Sequence, residues 1–313
     1  MAEPRPSTSD LHATPLRQEP TRKKAPGSGP HSRHGFRLQY SPSPSGVDSN
    51  LIVFLHGLGD TSEPFFKLGR QFQQTIPQTA VLSVQGTKRI PILPEEAWCY
   101  WDVIDQLGGP VSSENPSKFL EAFQSLLEEL TTTCGWPTEA IHLFGFAHGA
   151  TAALEGAIAW TRQRRQSPDS TAGPASDRLG SVVSVCGELL SVSAGVGTSS
   201  RSVHLTSRLT HSLSRALARH RQLPTFSPPL ATPLLHYHRH PPASSQSKST
   251  FASLQRGFAN VQEVRQGAVS PQADPVGMPQ SKSEWDPIIV FWSKVVRNRS
   301  HWETSGEVYS VQG

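Results

Sequence analysis

Short continuous apolar runs alternate along this chain with longer stretches in which apolar residues recur at helical spacing. Leu51-Ile52-Val53-Phe54-Leu55 is such a run, and Ala80 to Val84 and Ile141 to Phe146 read the same way. Runs of this length suit strands covered on both faces. Between them, Glu63 to about Ile76 and Ser117 to about Cys134 read as helices. In the second helix Phe119, Leu120, Phe123, Leu126, Leu127 and Leu130 form one stripe, which is a core face. A strand near Phe36 to Tyr40, a helix reaching about Arg165, strands at Val182 to Val185, Leu234 and Asn260, and a terminal helix from Trp285 to Val296 complete the series. This alternation predicts the α/β class, with a mostly parallel central sheet and helices on both faces.

The pattern fails in defined places. Residues 1–35 are dense in Pro, Ser, Thr, Lys and Arg without apolar periodicity, and predict a disordered basic tail. Within them, Arg22-Lys23-Lys24 reads either as a localisation or acidic-surface contact or as a solvated cluster. Residues 166–175 and about 193–230 are polar and read as insertions, and 298–313 as a C-terminal tail. In the second insertion Leu205, Leu209, Leu213 and Leu217 recur every fourth residue, so a basic helix over Leu205 to His220 is expected, either as a lid or as a mobile loop. The domain proper is thus expected over 36–297. A chain of 313 residues that is 35% hydrophobic can build one such core.

Charge and cysteine content narrow the classes. The formal charge of +4 comes largely from the tail and insertions, with no recognition motif, so no nucleic-acid partner is expected. No run approaches the roughly 18 apolar residues of a membrane helix. Cys99, Cys134 and Cys186 lack paired spacing and read as reduced residues of a cytoplasmic protein. His236, His238 and His240 alternate on one strand face, but no carboxylate or cysteine stands near them in sequence, so neither a metal nor another cofactor is expected.

Two segments carry the chemistry. The apolar run Ile141 to Phe144 leads into Gly145-Phe146-Ala147-His148-Gly149, followed by the small residues Ala150, Ala152 and Ala153. This is the strand-to-helix layout of a nucleophile elbow, G-x-S-x-G, with alanine where serine should stand. A methyl group can neither give up a proton nor form an acyl intermediate. The run Leu51 to Leu55 leads directly into His56-Gly57-Leu58-Gly59-Asp60. That order suits an oxyanion loop, in which the backbone N–H of Leu58 and that of His148 would hold a developing negative oxygen. Gly57 and Gly59 leave the backbone around Leu58 open to close approach.

These residues resemble the phospholipase/carboxylesterase group of α/β-hydrolases, which includes acyl-protein thioesterases and carries strand-H-G-L-G-D followed by G-F-S-Q-G. The segment from Glu95-Glu96-Ala97-Trp98 to Trp101-Asp102 also resembles the group's A-W-x-D stretch, and the likeness covers roughly residues 36–190 and 230–297. It implies an acyl ligand or an acylated protein, with Trp98 and Trp101 as candidate pocket residues. The group's acid and base should follow the last two strands. Instead the chain reads Arg239-His240-Pro241-Pro242-Ala243 after the first, and after the second no histidine occurs between Ala268 and Pro279. Asp274 lies after the wrong strand, and His148 takes the place of a glutamine valued for its backbone N–H. The expectation is a non-catalytic binding or regulatory module. An active ester or thioester hydrolase would need a displaced nucleophile such as Ser270, and a decayed gene product is a third reading.

Overall fold

The computed structural model describes residues 12–15, 20–90, 96–105, 107–112, 114–166, 178–190, 229–239, 245–266, 276–300, 303–304 and 309–312. Its centre is a seven-stranded sheet. From one edge to the other it runs β10 (Val261–Arg265), β9 (Leu234–His238), β8 (Ser181–Val185), β7 (Ile141–Phe146), β3 (Asn50–Leu55), β4 (Thr79–Val84) and β2 (Leu38–Ser41). All neighbours are parallel except β2 on β4. The expected α/β class and mostly parallel sheet are therefore those of the molecule.

Helices cover both faces because the buried strands are apolar on both sides. Leu51, Val53 and Leu55 point into one core together with Phe119, Phe123 and Leu127 of α2 (Ser117–Thr132) and Ala153, Leu154 and Ala157 of α3 (His148–Gln166). Ile52 and Phe54 point into the other, against Phe65 and Phe72 of α1 (Ser62–Phe72) and Ile288, Phe291 and Trp292 of α5 (Lys282–Val295). The α2 stripe is core, as its spacing predicts.

One further helix, α4 (Ser245–Gly257), was not expected. Its sequence SQSKSTFASLQRG carries no apolar repeat, and Leu254 is its fully buried apolar anchor. Two short pairings also lie outside the main sheet: β5 (Lys88–Arg89) with β6 (Trp98–Cys99), and β1 (His12–Pro15) with β11 (Tyr309–Gln312).

Parts of both expected tails are tied to the domain. The Arg22 guanidinium donates to Asp48 Oδ1 at 3.1 Å and the Lys23 N–H to Asp48 Oδ2 at 2.9 Å, so the basic cluster begins with a structural contact. At the other end Asn50 exchanges two hydrogen bonds with the Arg297 backbone, at 2.7 and 2.8 Å. Gln78 does the same with Arg299, both at 2.8 Å. The packed unit thus extends past residues 36–297 at both ends. Residues 191–228, which include the expected helix over Leu205 to His220, lie outside the described residues.

His142 is a polar intruder in the centre of β7. It is fully buried, with Nδ1 2.8 Å from Ser181 Oγ, and burial pushes its pKa down to about 3. An unfolded chain takes up this proton near pH 6.5 and the folded one does not, so stability is full above that pH and is lost as pH falls towards 3. Urea unfolding should show a midpoint that declines below about pH 6.5, with His142 alone contributing about 2–3 kcal/mol of loss by pH 4.5. His142→Asn should flatten this slope by about one proton. An identical slope in the variant would assign the acid sensitivity elsewhere.

Candidate active site

The sheet order creates the site. Strands β3 and β7 are neighbours although most of a hundred residues separate them, and their register pairs Leu55 with Gly145. The chain leaves β3 towards β4 on one side and later returns as β7 on the other, which makes the β3/β7 crevice a topological switch point, the usual ligand position in open α/β sheets. The two segments singled out in the sequence meet there.

Residue 147 forms the apex of a sharp turn. Ala147 has φ 48°, in the left-handed region that non-glycine residues seldom adopt. Its N–H donates to the Val185 carbonyl at 2.8 Å, and its carbonyl accepts the N–H groups of Ala150 and Thr151 at 3.0 Å each. The two elbow glycines are required by close approach. A Cβ on Gly145 would lie 2.3 Å from the Gly149 carbonyl oxygen, and one on Gly149 would lie 2.3 Å from the carbonyl oxygens of both Leu55 and His56. The start of α3 is therefore pressed onto the end of β3.

The loop after β3 is held from behind. His56 is completely buried; its Nε2 accepts the Gly86 N–H at 2.9 Å, which leaves the ring proton on Nδ1, donated to the Gly57 carbonyl at 2.8 Å. Its backbone N–H donates to Tyr100 Oη at 2.8 Å. Burial lowers the His56 pKa, so the ring is a neutral structural brace. Gly59 takes φ 81° and bonds the Trp98 carbonyl at 3.0 Å, and Gly57 packs on the Phe146 ring. Neither the Leu58 nor the His148 backbone N–H has a partner among the described residues, which leaves both free for an acceptor atom.

The His148 side chain turns into aromatic surroundings, with ring centroids 4.1 Å from Trp101 and 5.7 Å from Tyr100. Both its ring nitrogens are buried without a partner among the described residues. Burial, with a smaller contribution from His56, pushes its pKa down to about 3. A ring so weakly basic does not take a proton from a hydroxyl at neutral pH.

The two expected pocket residues line separate clefts. Trp98 borders one of about 370 Å³ together with Arg37, Ser62 and Gln85, and Trp101 one of about 250 Å³ with Tyr100, Phe119 and Lys118. Tyr100 and Trp101, which line the latter cleft, are also the rings packed against His148.

Where an acid would follow β9, the chain places a cation. Arg239 is buried and donates to Glu284 Oε2 at 2.7 Å and to the Met278 carbonyl at 3.0 Å. His236 and His238 share a face, as their spacing predicts, with rings stacked at 5.2 Å. A carboxylate does reach one of them, contrary to the sequence expectation: His238 Nε2 lies 2.9 Å from Glu263 Oε1 on the neighbouring strand β10. Cross-strand pairing brought it there, which sequence distance hides. No group of three or more metal-ligating side chains occurs among the described residues. His240, Ser270 and Asp274 lie outside them. Cys186, at φ 59° after β8, is a second left-handed residue beside the elbow that carried no sequence signal.

The fold and the paired loops define an α/β-hydrolase. Among solved structures the chain is similar to esterase PE8, with a TM-score of 0.54 at 13% identity over 83% of this chain and 99% of that one. It is similar also to the Bacillus cereus carboxylesterase, with a TM-score of 0.52 at 14% identity over 83% and 94%. The family described as Phospholipase/Carboxylesterase matches residues 42–166. An uncharacterized hydrolase of Mycosarcoma maydis, UM10204, is 33% identical over 273 residues, 87% of this chain and 86% of that protein. The chain belongs to the phospholipase/carboxylesterase family of α/β-hydrolases. No helix among the described residues is long and apolar enough to cross a membrane.

The elbow geometry yields a stability test. Gly149→Ala should destabilise by about 3 kcal/mol, the upper end for an overpacked site, because the added methyl meets backbone that cannot move aside. Ala147→Gly should be neutral or stabilising by up to about 1 kcal/mol, since glycine adopts positive φ freely. Denaturant melts check both, and a large loss on Ala147→Gly would contradict a strained apex.

Proposed function

We propose that this family member is a non-catalytic binding or regulatory module whose ligand is an acyl group or an acylated protein. The observation that carries the reading is Ala147 itself: the left-handed apex and its flanking glycines are present, and the attacking atom is not. The rest of the site agrees. His148 is held neutral by burial, and Arg239 begins the segment in which the family's acid belongs. The loop after β10 carries no histidine in its sequence up to Pro279. The free N–H groups of Leu58 and His148 support retention of a ligand oxygen without its conversion.

The magnitudes favour this reading over residual catalysis. Loss of a triad serine costs roughly a millionfold in turnover, and an oxyanion hole with binding alone leaves about 10³–10⁴ over water. Here acid and base would have to be displaced together with the nucleophile. A cytoplasmic location is the setting we propose, in keeping with three cysteines that lack paired spacing in the sequence.

Turnover of short acyl p-nitrophenyl esters should not exceed that of a Leu58→Pro control, which lacks one oxyanion donor. Ala147→Ser should not restore it, because the new hydroxyl finds no basic partner. Activity of that variant within about a hundredfold of a typical 10 s⁻¹ would demand a concealed base and overturn the proposal.

A further inference from the structure

Strand β2 is an edge of the sheet, and an open edge invites pairing with other chains. Residues 27–36 cap it at Leu38. Ser28 Oγ accepts the Leu38 N–H at 2.8 Å and donates to the Leu38 carbonyl at 3.3 Å, so a side chain occupies both hydrogen-bonding groups of that residue. The segment folds on itself through Gly29 N–H to the Phe36 carbonyl at 2.7 Å and Ser32 N–H to the Gly29 carbonyl at 3.0 Å. Its ends are anchored by Gly27 N–H on Glu129 Oε1 of α2, at 2.7 Å, and by Phe36, whose ring lies in the core 6.0 Å from Phe119.

At the centre of this strap stands His34, 4% exposed. Its Nδ1 accepts the Phe36 N–H at 3.0 Å, which places the ring proton on Nε2, 3.1 Å from the Gly27 carbonyl. The neutral ring therefore joins both ends of the strap. A second proton would go on Nδ1, where the Phe36 N–H already points, and one of the two donors would lose its acceptor. Ser32 Oγ, 3.2 Å from Nδ1, donates to the Gly29 carbonyl and accepts the Gly35 N–H; its second lone pair can take the new N–H, but the Phe36 N–H still loses its acceptor. The charged group facing the ring is Glu129 of α2, with Oε2 3.7 Å from Nε2; Phe36 stacks at 5.6 Å and adds no charge. Burial outweighs the attraction of Glu129, and the His34 pKa is lowered.

We infer that residues 27–36 form a latch over the β2 edge that opens when His34 takes up a second proton. The sign follows from linkage. The released strap binds the proton near the ordinary histidine value of about 6.5, and the docked strap binds it only at lower pH. Closure is complete above that value and weakens as pH falls below it. The consequence is a sheet edge whose hydrogen-bonding groups at Leu38 are capped at neutral pH and released in mild acid.

Amide hydrogen exchange on the full chain tests the latch. Between pH 7.5 and 5.5, after correction for intrinsic rates, opening at Phe36 and Leu38 should rise several-fold, to a limit of about tenfold for one proton. Exchange at Val53 in β3 should not rise in step. His34→Gln, which can still donate and accept, should keep the strap protected and remove the pH step. Three outcomes overturn the inference: no acceleration in the native chain, an equal acceleration at Val53, or an equal step in the variant. If His34→Gln leaves the strap unprotected already at pH 7.5, the titration of the native His34 ring followed by NMR decides. A midpoint below 6.5 supports the latch, and one at or above it overturns it.

Discussion

The contact between the first turn of α3 and the end of β3 governs this molecule. Gly149 lies so close to the carbonyl oxygens of Leu55 and His56 that no side chain fits between them, and Gly145 is as close to the following turn. That approach is possible only if the chain reverses sharply at residue 147, and the reversal forces positive φ there. From it follows the tight seating of α3 on the sheet. The packing demands the elbow whether or not the apex bears a nucleophile. Selection for the fold alone would therefore retain the glycines.

Burial sets the electrostatics around this turn. Three histidines near the centre of the sheet, at 56, 142 and 148, are all driven towards the neutral form by burial. His56 is used as a brace between Gly57 and Gly86, and His142 is a core residue on Ser181. The described cation at the end of β9 is committed to Glu284. Aromatic surface and two backbone N–H groups stand at this turn, and the imidazole beside them is neutral.

Much of this was legible in the sequence, for physical reasons. Strand β7 spans the expected Ile141 to Phe146, and the α2 stripe packs as its spacing requires, because both are long, strongly patterned and buried. The sharp turn at Ala147 and the glycine turn after β3 were legible because glycines required by close approach or positive φ leave a fixed spacing. What escaped notice depends on distant partners. Helix α4 has a polar sequence and is held by Leu254 and neighbouring elements. Glu263 meets His238 only through the β9/β10 register. Segments with tail-like composition are fixed by single side chains elsewhere, such as Asp48, Asn50, Gln78 and Glu129, none of which announces its partner in sequence.

The account rests on the absence of an activated nucleophile, and the most direct measurement is the intact mass of the purified full-length protein after prolonged exposure to a fluorophosphonate. Such a probe phosphonylates a serine only when a neighbouring base has activated it. The predicted result is an unchanged mass, with an active serine esterase labelled to completion alongside. A stoichiometric gain of one phosphonyl group, mapped to a single serine and lost on denaturation before exposure, would contradict the account.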